Sequence, residues 1–434
     1  MMHNYRLHLK QSIGSIAQPV KGLAVGAIVK RGVLLAVPEG MGVPLHASVS
    51  GKISAITDSY IEISANEQQD AGFEPIPQSD DLAEMVRSAG LCGMGGSGFP
   101  TYIKLQTKLE EGGAIIVNAV ECEPLLKHNI KQLTEQPAKT YRGLVLAMQA
   151  TKAGRGILAV KSKHTEAIKA FKSMLQNGDG ISIKELPDIY PMGEERAIIR
   201  ETHGKLLAVD QLPSAAGAVV FNLETICRIA EAVDERKPVI SKNLTVAGKL
   251  CKGRDSHVFM DVPLGTPLSA LIDTCGGIDG SCEEIIVGGP FTGVSAPLDT
   301  PITKTTNGII VPQEMYREKR PLGLLVCACG GNEARLRDIA EKMGANVVSV
   351  RKCKQAIEVK TALKCEDPGN CPGQAEHVLA MHKEGARSLL ISNCSDCTNT
   401  VMGVAPKLKM GIHHMTDHVM RSVGHALIRR LPIE

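Results

Sequence analysis

The chain reads as a multidomain α/β protein, and three observations carry that reading. At 434 residues it exceeds what one hydrophobic core supports, so roughly two to four domains are expected. Strand-like and helix-like segments alternate between residues 78 and 237, the pattern of a mostly parallel sheet, while residues 1–75 and 239–320 hold short β-type segments broken by Gly and Pro. From Pro321 a further α/β stretch carries seven of the 13 cysteines. The expected domains are therefore 1–75, 76–238, 239–320 and 321–434.

Each element has a local reason. In 1–75, Val43-Pro44-Leu45-His46-Ala47-Ser48-Val49-Ser50-Gly51-Lys52-Ile53 alternates in the manner of a small β domain. Lys52 follows Gly directly and lacks the hairpin setting of a swinging carrier lysine. In 76–238 a helix over 80–89 leads into a Gly-rich loop and a second helix. Strands follow at 114–117, 156–160 and 181–186, with helices over 140–153, 166–176 and 194–202 between and after them. Arg236-Lys237-Pro238 breaks the pattern. Strands are expected at 243–250, 258–262 and 284–287, a short helix at 267–274, and a turn at 288–293. The last unit should hold strands at 322–327, 346–350 and 388–392, a helix at 333–343, and a closing helix rich in His and Arg.

Composition narrows the function classes. Hydrophobic content of 43% and charged content of 22% are ordinary for a globular protein. A net charge of +3 argues for no nucleic-acid partner, and six Phe, six Tyr and no Trp offer little stacking surface for bases or sugars. No apolar run reaches the ~18–20 residues of a membrane span, and the N-terminus lacks a signal-peptide core; a cytoplasmic protein is expected. Thirteen cysteines, an odd number, fit a disulfide framework poorly. Their loading into the last third points to redox or metal chemistry there, whereas Cys92, Cys227, Cys251, Cys275 and Cys282 read as small buried hydrophobes.

The densest signal is Gly90-Leu91-Cys92-Gly93-Met94-Gly95-Gly96-Ser97-Gly98-Phe99-Pro100-Thr101, with Lys104 one helical turn on. Such a loop brings backbone N–H groups close to a phosphate and tolerates positive φ. It is neither a Walker A sequence nor a clean GxGxxG. A strand then runs into Asn118-Ala119-Val120-Glu121-Cys122-Glu123-Pro124. Two further motifs follow, Tyr190-Pro191-Met192-Gly193-Glu194-Glu195 and Phe221-Asn222-Leu223-Glu224-Thr225.

These four motifs, in this order, resemble the flavin-binding subunit of complex I and the C subunit of Rnf electron-transport complexes. The resemblance implies a barrel-sandwich domain at 1–75, an FMN- and NADH-binding α/β domain at 76–238, a β-grasp domain at 239–320 and a cysteine-rich redox unit at 321–434. Carried over by position, Gly93, Gly95, Gly96 and Gly98 line the flavin and Lys104 reaches its ribityl phosphate. Asn118, Glu121, Gly193, Glu194, Glu195, Asn222 and Thr225 complete the pocket, and Phe99, Glu123 and Glu195 hold the nicotinamide dinucleotide. Taken singly, each Glu reads equally as a solvated surface carboxylate. The protein positions and tunes such a cofactor rather than supplying an acid–base pair.

The chain departs from the pattern at Met94, where complex I subunits carry Arg, and at Leu105, where they carry Trp. It also lacks the C-x2-C-x2-C-x3-C run that holds cubane clusters in Rnf C subunits. The two [4Fe–4S] centres are therefore not expected, no residue is assigned as a metal ligand, and electrons need another exit.

Cys394-Ser395-Asp396-Cys397, directly after a strand and opening a helix, suits a dithiol/disulfide couple. The flanking residues resemble proline reductase-associated electron-transfer proteins, which implies D-proline reductase as the partner and Cys394 and Cys397 as the catalytic thiols. Metal ligation and a structural role stay open for that pair. Cys327 and Cys329 read as structural; with Cys353, Cys365 and Cys371 they match no ferredoxin or zinc spacing. His413, His414, Asp417, His418 and His425 are expected on the closing helix, His414 and His418 at i,i+4, as a polar face. The leading expectation is an NADH-oxidising flavoprotein serving a partner reductase. An Rnf-type or cobalamin-reducing flavoprotein subunit and a catalytically silent scaffold are the alternatives.

Overall fold

The computed structural model describes residues 4–109, 112–329, 331–359 and 362–429. The N-terminal segment folds into two antiparallel sheets. One joins Asn4–His8, Tyr60–Ala65, Gly51–Ile56 and Ile28–Val29; the other joins Ala17–Pro19, Leu34–Pro38 and Leu45–His46. Period-2 patterning explains the first: in Tyr60–Ala65, Ile61, Ile63 and Ala65 point inward while their neighbours stay partly exposed. This apolar face shares one core with Leu244, Val246 and Ile309 of the third segment. Burying each such side chain contributes about 1.5–3 kcal/mol, so the N-terminal sheets are anchored on the far side of the intervening domain.

The central sheet is parallel, in the order Ile181–Leu186, Arg155–Lys161, Ala114–Ala119, Ala218–Asn222. Its inner strands Arg155–Lys161 and Ala114–Ala119 and the strand Ala218–Asn222 are mostly apolar because helices cover both faces. Leu144, Ala147, Ile226 and Ile229 pack on one side, and Ala197, Ile198 and Ile199 on the other. Helix starts are set by caps that satisfy otherwise unpaired N–H groups. Asp81 accepts from Ala83 N–H, Glu194 from Arg196 and Ala197, and Asn222 from Glu224 and Thr225. From Ala114–Ala119 the chain moves outward through two strands, then returns to add Ala218–Asn222 on the opposite side. That reversal opens a crevice at the carboxyl ends of the two strands, where open α/β sheets place ligands. The strand Ala218–Asn222 and the helices His128–Glu135 and Leu223–Asp234 add to the elements expected from periodicity.

The third segment forms a mixed five-stranded sheet around Ser241–Gly248. Residues 288–293 form the expected turn. The last unit is a second parallel sheet, ordered Val347–Lys352, Leu322–Val326, Ser388–Ile391, Gly411–His414. Its reversal falls between Leu322–Val326 and Ser388–Ile391.

Two expectations are corrected here. His413 and His414 lie on the strand Gly411–His414, not on the closing helix, which spans Asp417–Ser422. Parallel pairing with Leu390 and Ile391 satisfies their backbone and buries them, outweighing helical patterning. His414 and His418 therefore share no helix face. His413 meets Glu318 at 2.7 Å, His418 meets Glu284 at 3.1 Å, and His414 meets Thr416 at 2.8 Å. Residues 430–434 of the expected terminal helix lie outside the described residues. Among the non-clustered cysteines, Cys92, Cys227 and Cys275 are buried, but Cys251 is exposed. No helix among the described residues is long and apolar enough to cross a membrane.

Candidate functional site

A cavity of about 550 Å³ opens at the reversal point of the central sheet. Its size falls within the ~300–1,000 Å³ of ordinary small-molecule sites. Gly95 and Gly96 form one wall, Asn118 and Asn222 the floor, Gly193 a second wall, and Glu121 and Glu123 the rim. The floor follows from register, since Asn118 and Asn222 are direct partners at the ends of adjacent parallel strands. A Cβ on Gly95 would stand 2.9 Å from the Asn222 side chain, so only Gly allows the loop to lie this close. Gly96, at φ +114, takes a backbone conformation that side-chain-bearing residues avoid.

The floor residues are held from behind. Asn118 Nδ2 donates to Gly193 O at 2.9 Å, and Gly193 N–H donates to Cys122 Sγ at 2.7 Å. Burial pushes the Cys122 thiol up to about 11, so it acts here as a neutral packing and acceptor group. Glu121 sits at φ +42, a strained conformation for a residue with a side chain, and accepts from Asn129 Nδ2 at 3.0 Å. Burial raises its carboxyl above the usual range. Asn129 Oδ1 is buried with no hydrogen-bond partner among the described residues, an acceptor on a residue that lines this cavity.

Glu123 ties the cavity to the third segment. Its carboxylate accepts from Phe291 N–H at 2.7 Å, Thr292 N–H at 2.9 Å and Thr292 Oγ1 at 2.5 Å. Burial nevertheless pushes it up to about 7. A Cβ on Gly289 would fall 2.3 Å from this carboxyl group, so the turn approaches closely because of its glycine. Gly288, Gly289, Thr292, Thr305 and Asn307 from this segment line the cavity, together with Cys122, Leu126 and Asn129. Motif reading missed all of these. The only linear sign was the Gly-Gly-Pro-Phe-Thr-Gly run, readable as a turn but not as a wall of this site.

The other expected residues stand behind the walls or beside them. Gly93 and Gly98 close the loop's own turn through Gly98 N–H to Gly93 O at 3.0 Å, and Phe99 O accepts from Gly93 N–H at 2.8 Å. Thr225 Oγ1 accepts from Met94 N–H at 3.0 Å, pinning the loop to the helix Leu223–Asp234. Glu194 is occupied as a helix cap. Lys104 Nζ donates to Glu195 at 3.1 Å and to Val220 O at 2.8 Å, so these two expected ligands pair with each other. Of the residues assigned to a dinucleotide, Glu123 lines this cavity. It stands between the first cavity and an adjoining one of about 660 Å³ whose lining includes Lys127, Lys161, Lys163, Arg254 and Ser395.

Of the two thiols expected to be catalytic, Cys394 enters a compact thiol group. It stands at the start of the helix Ser395–Met402, and its sulfur groups with Cys327 and Cys329, the three Sγ atoms within 4.8 Å of one another. Cys397, one turn on, is buried in the same apolar cluster but is not one of that trio. The assignment of no metal ligand rested on linear spacing, and a buried three-thiol group able to hold a metal ion leaves it without support. Two strands that are neighbours in the sheet but distant in sequence bring these thiols together.

The segment Tyr190–Gly193 connects the two places. Tyr190 OH donates to Cys329 O at 3.1 Å and Cys394 Sγ lies 3.8 Å from Tyr190 O, while Gly193 lines the first cavity. Three residues span at most about 11 Å. The Tyr190 ring stacks on Phe291 at 3.9 Å between centroids, next to the turn that Glu123 holds.

Residues 86–231 match the family model of the Nuo51 FMN-binding domain, and residues 1–70 that of the RnfC barrel sandwich hybrid domain. The chain is 40% identical over 234 residues to cobalamin reductase PduS of Salmonella typhimurium, covering 54% of this chain and 50% of that protein. It is 31% identical over 310 residues to the C subunit of the Na⁺-translocating ferredoxin:NAD⁺ oxidoreductase complex of Acetobacterium woodii, covering 67% and 69%. The C subunit of the proton-translocating complex of Clostridium ljungdahlii is 30% identical over 321 residues, covering 70% and 69%. The chain thus spans about half the length of the cobalamin reductases it matches.

Proposed function

The chain belongs to the family of C subunits of ion-translocating ferredoxin:NAD⁺ oxidoreductase complexes, and from that premise we propose that it is a flavoprotein taking electrons from NADH through FMN and passing them to a redox partner. The observation that carries the proposal is the cavity between Gly95–Gly96 and the Asn118/Asn222 floor, inside the segment that matches an FMN-binding domain. When bound there, FMN supplies the conversion of a hydride donor into single-electron deliveries.

The residues present suit that group. Glycine backbone lets a planar ring or a phosphate approach within van der Waals contact, and two amides and an unpaired Asn129 oxygen offer hydrogen bonds to polar edges. We assign residues 76–238 to cofactor binding, with Lys104, Glu194, Glu195 and Thr225 holding the walls in shape. The adjoining cavity, lined by lysines and Arg254, suits the phosphates of a dinucleotide, with Glu123 at the junction. Residues 1–75 and 239–320 brace the site, and 321–434 carries electrons outward.

The acceptor follows the relatives' chemistry. Their cobalamin-reductase and Rnf-type names favour a corrin or protein acceptor of that kind over D-proline reductase. Purified protein is titrated with FMN, then with NADH under anaerobic conditions. Uptake of one FMN per chain and bleaching by NADH are expected. A protein that takes up no FMN would return the scaffold reading to first place.

A further inference from the structure

Four thiols from three separated stretches meet at the reversal point of the C-terminal sheet. Cys327 and Cys329 follow the strand Leu322–Val326, Cys394 follows Ser388–Ile391, and Cys365 ends the hairpin strand Ala362–Cys365. The first two strands are parallel neighbours, and the chain runs away from them in opposite directions, so their carboxyl ends splay into a crevice. The four residues are between 2% and 7% exposed. The sulfurs of Cys327, Cys329 and Cys394 lie within 4.8 Å of one another, and Cys365 packs in the same buried cluster.

We infer that Cys327, Cys329 and Cys394, with Cys365 as the fourth ligand, form a closed mononuclear site for a thiophilic divalent first-row ion, zinc or ferrous iron. The size of the trio selects this class. A metal–sulfur bond of about 2.3 Å in a tetrahedron places ligand sulfurs about 3.8 Å apart, inside the 4.8 Å within which the three sulfurs lie. A cubane cluster sits between its ligands and holds them further apart. Thiols that serve only as small hydrophobes have no reason to converge, and Cys92 and Cys227 show that behaviour: Cys92 meets Gln11 O and Cys227 meets Thr140.

The surroundings hold the ligand loop in place. Cys329 N–H donates to Cys327 Sγ at 3.5 Å. Tyr190 OH, fixed by stacking on Phe291, holds the Cys329 carbonyl and so the loop that carries two of the ligands. Binding replaces four S–H bonds by four metal–sulfur bonds and releases four protons to solvent. The resulting anionic centre faces the amino end of the helix Ser395–Met402.

The test uses full-length protein freed of metal and flavin under reducing conditions, titrated with Co²⁺. One equivalent should bind with a strong thiolate-to-cobalt charge-transfer band and tetrahedral ligand-field bands, and Zn²⁺ should displace it. Cys394→Ser should weaken binding by about tenfold or more and diminish the charge-transfer band. Cys275→Ser, at a buried thiol elsewhere, should leave both unchanged. Anaerobic loading with Fe²⁺, followed by metal and sulfide analysis, separates iron from zinc. Absence of the thiolate band, labile sulfide accompanying the iron, or a native disulfide within the set each overturns the inference. Because the readout needs no flavin, its failure and that of the FMN reading are distinguishable.

Discussion

Replacing Glu224 by Gln removes one charge from an ion pair that water does not reach. Glu224 and Lys242 form an ion pair with both side chains 0% exposed. The same carboxylate accepts from Asn243 N–H at 2.9 Å and Arg228 Nη2 at 3.3 Å, and Arg228 also holds Glu231 at 2.7 Å and Asp261 at 2.8 Å. The amide keeps the shape but leaves Lys242 without its counter-ion. Removing one partner of a buried pair costs about 3–5 kcal/mol. The exposed pair Arg142–Asp234, at 47% and 40%, is worth about 1 kcal/mol or less. Urea unfolding should therefore separate Glu224→Gln from Asp234→Asn by several kcal/mol. The double variant Glu224→Gln/Lys242→Met should recover most of the loss, since no unpaired charge then remains inside. FMN content should fall in the single variant, because Glu224 N–H is fixed by Asn222 on the cavity floor. If Glu224→Gln unfolds at the same urea concentration as Asp234→Asn, the argument from burial is wrong.

Further outcomes concern the cavity itself. Gly95→Ala, whose Cβ meets Asn222 at 2.9 Å, should lower FMN affinity about tenfold, ~1.4 kcal/mol, with little change in stability; calorimetric titration showing equal affinity would remove this wall from the site. Lys104→Ala frees Glu195 and deletes a charged contact worth about 1.5–3 kcal/mol, so FMN should bind more weakly, while unchanged binding would confine Lys104 to its pairing with Glu195. Glu123 sits at about 7, above its ordinary 4.5, so the folded chain retains a proton that the unfolded chain releases. Its stabilisation is complete below about pH 4.5 and is lost as pH rises through about 7. Glu123→Gln should flatten the fall in unfolding midpoint across that window, and an unaltered slope would contradict the assignment.

Much of this was legible in the chain because it is written locally. Local patterning placed the strands at 114–117, 156–160 and 181–186 of the central domain and the helices beside them. Contiguous motifs marked Gly95, Gly96, Asn118, Glu121, Gly193 and Asn222 as one group, and the fold brings them to one cavity. Each of those signals depends on neighbours within a turn or a strand.

What escaped depends on contacts that no short window contains. His413 and His414 became strand residues because a partner edge at Leu390–Ile391 was available to them. The turn at 288–293 became a cavity wall because Glu123, far away in the chain, grips its backbone. Cys394 meets Cys327 and Cys329 because parallel pairing sets the carboxyl ends of two distant strands side by side. Local sequence determines which elements form and which chemical groups they carry. Which of those groups face one another is decided by sheet order, since burial and backbone pairing are satisfied only once the whole chain has closed on itself.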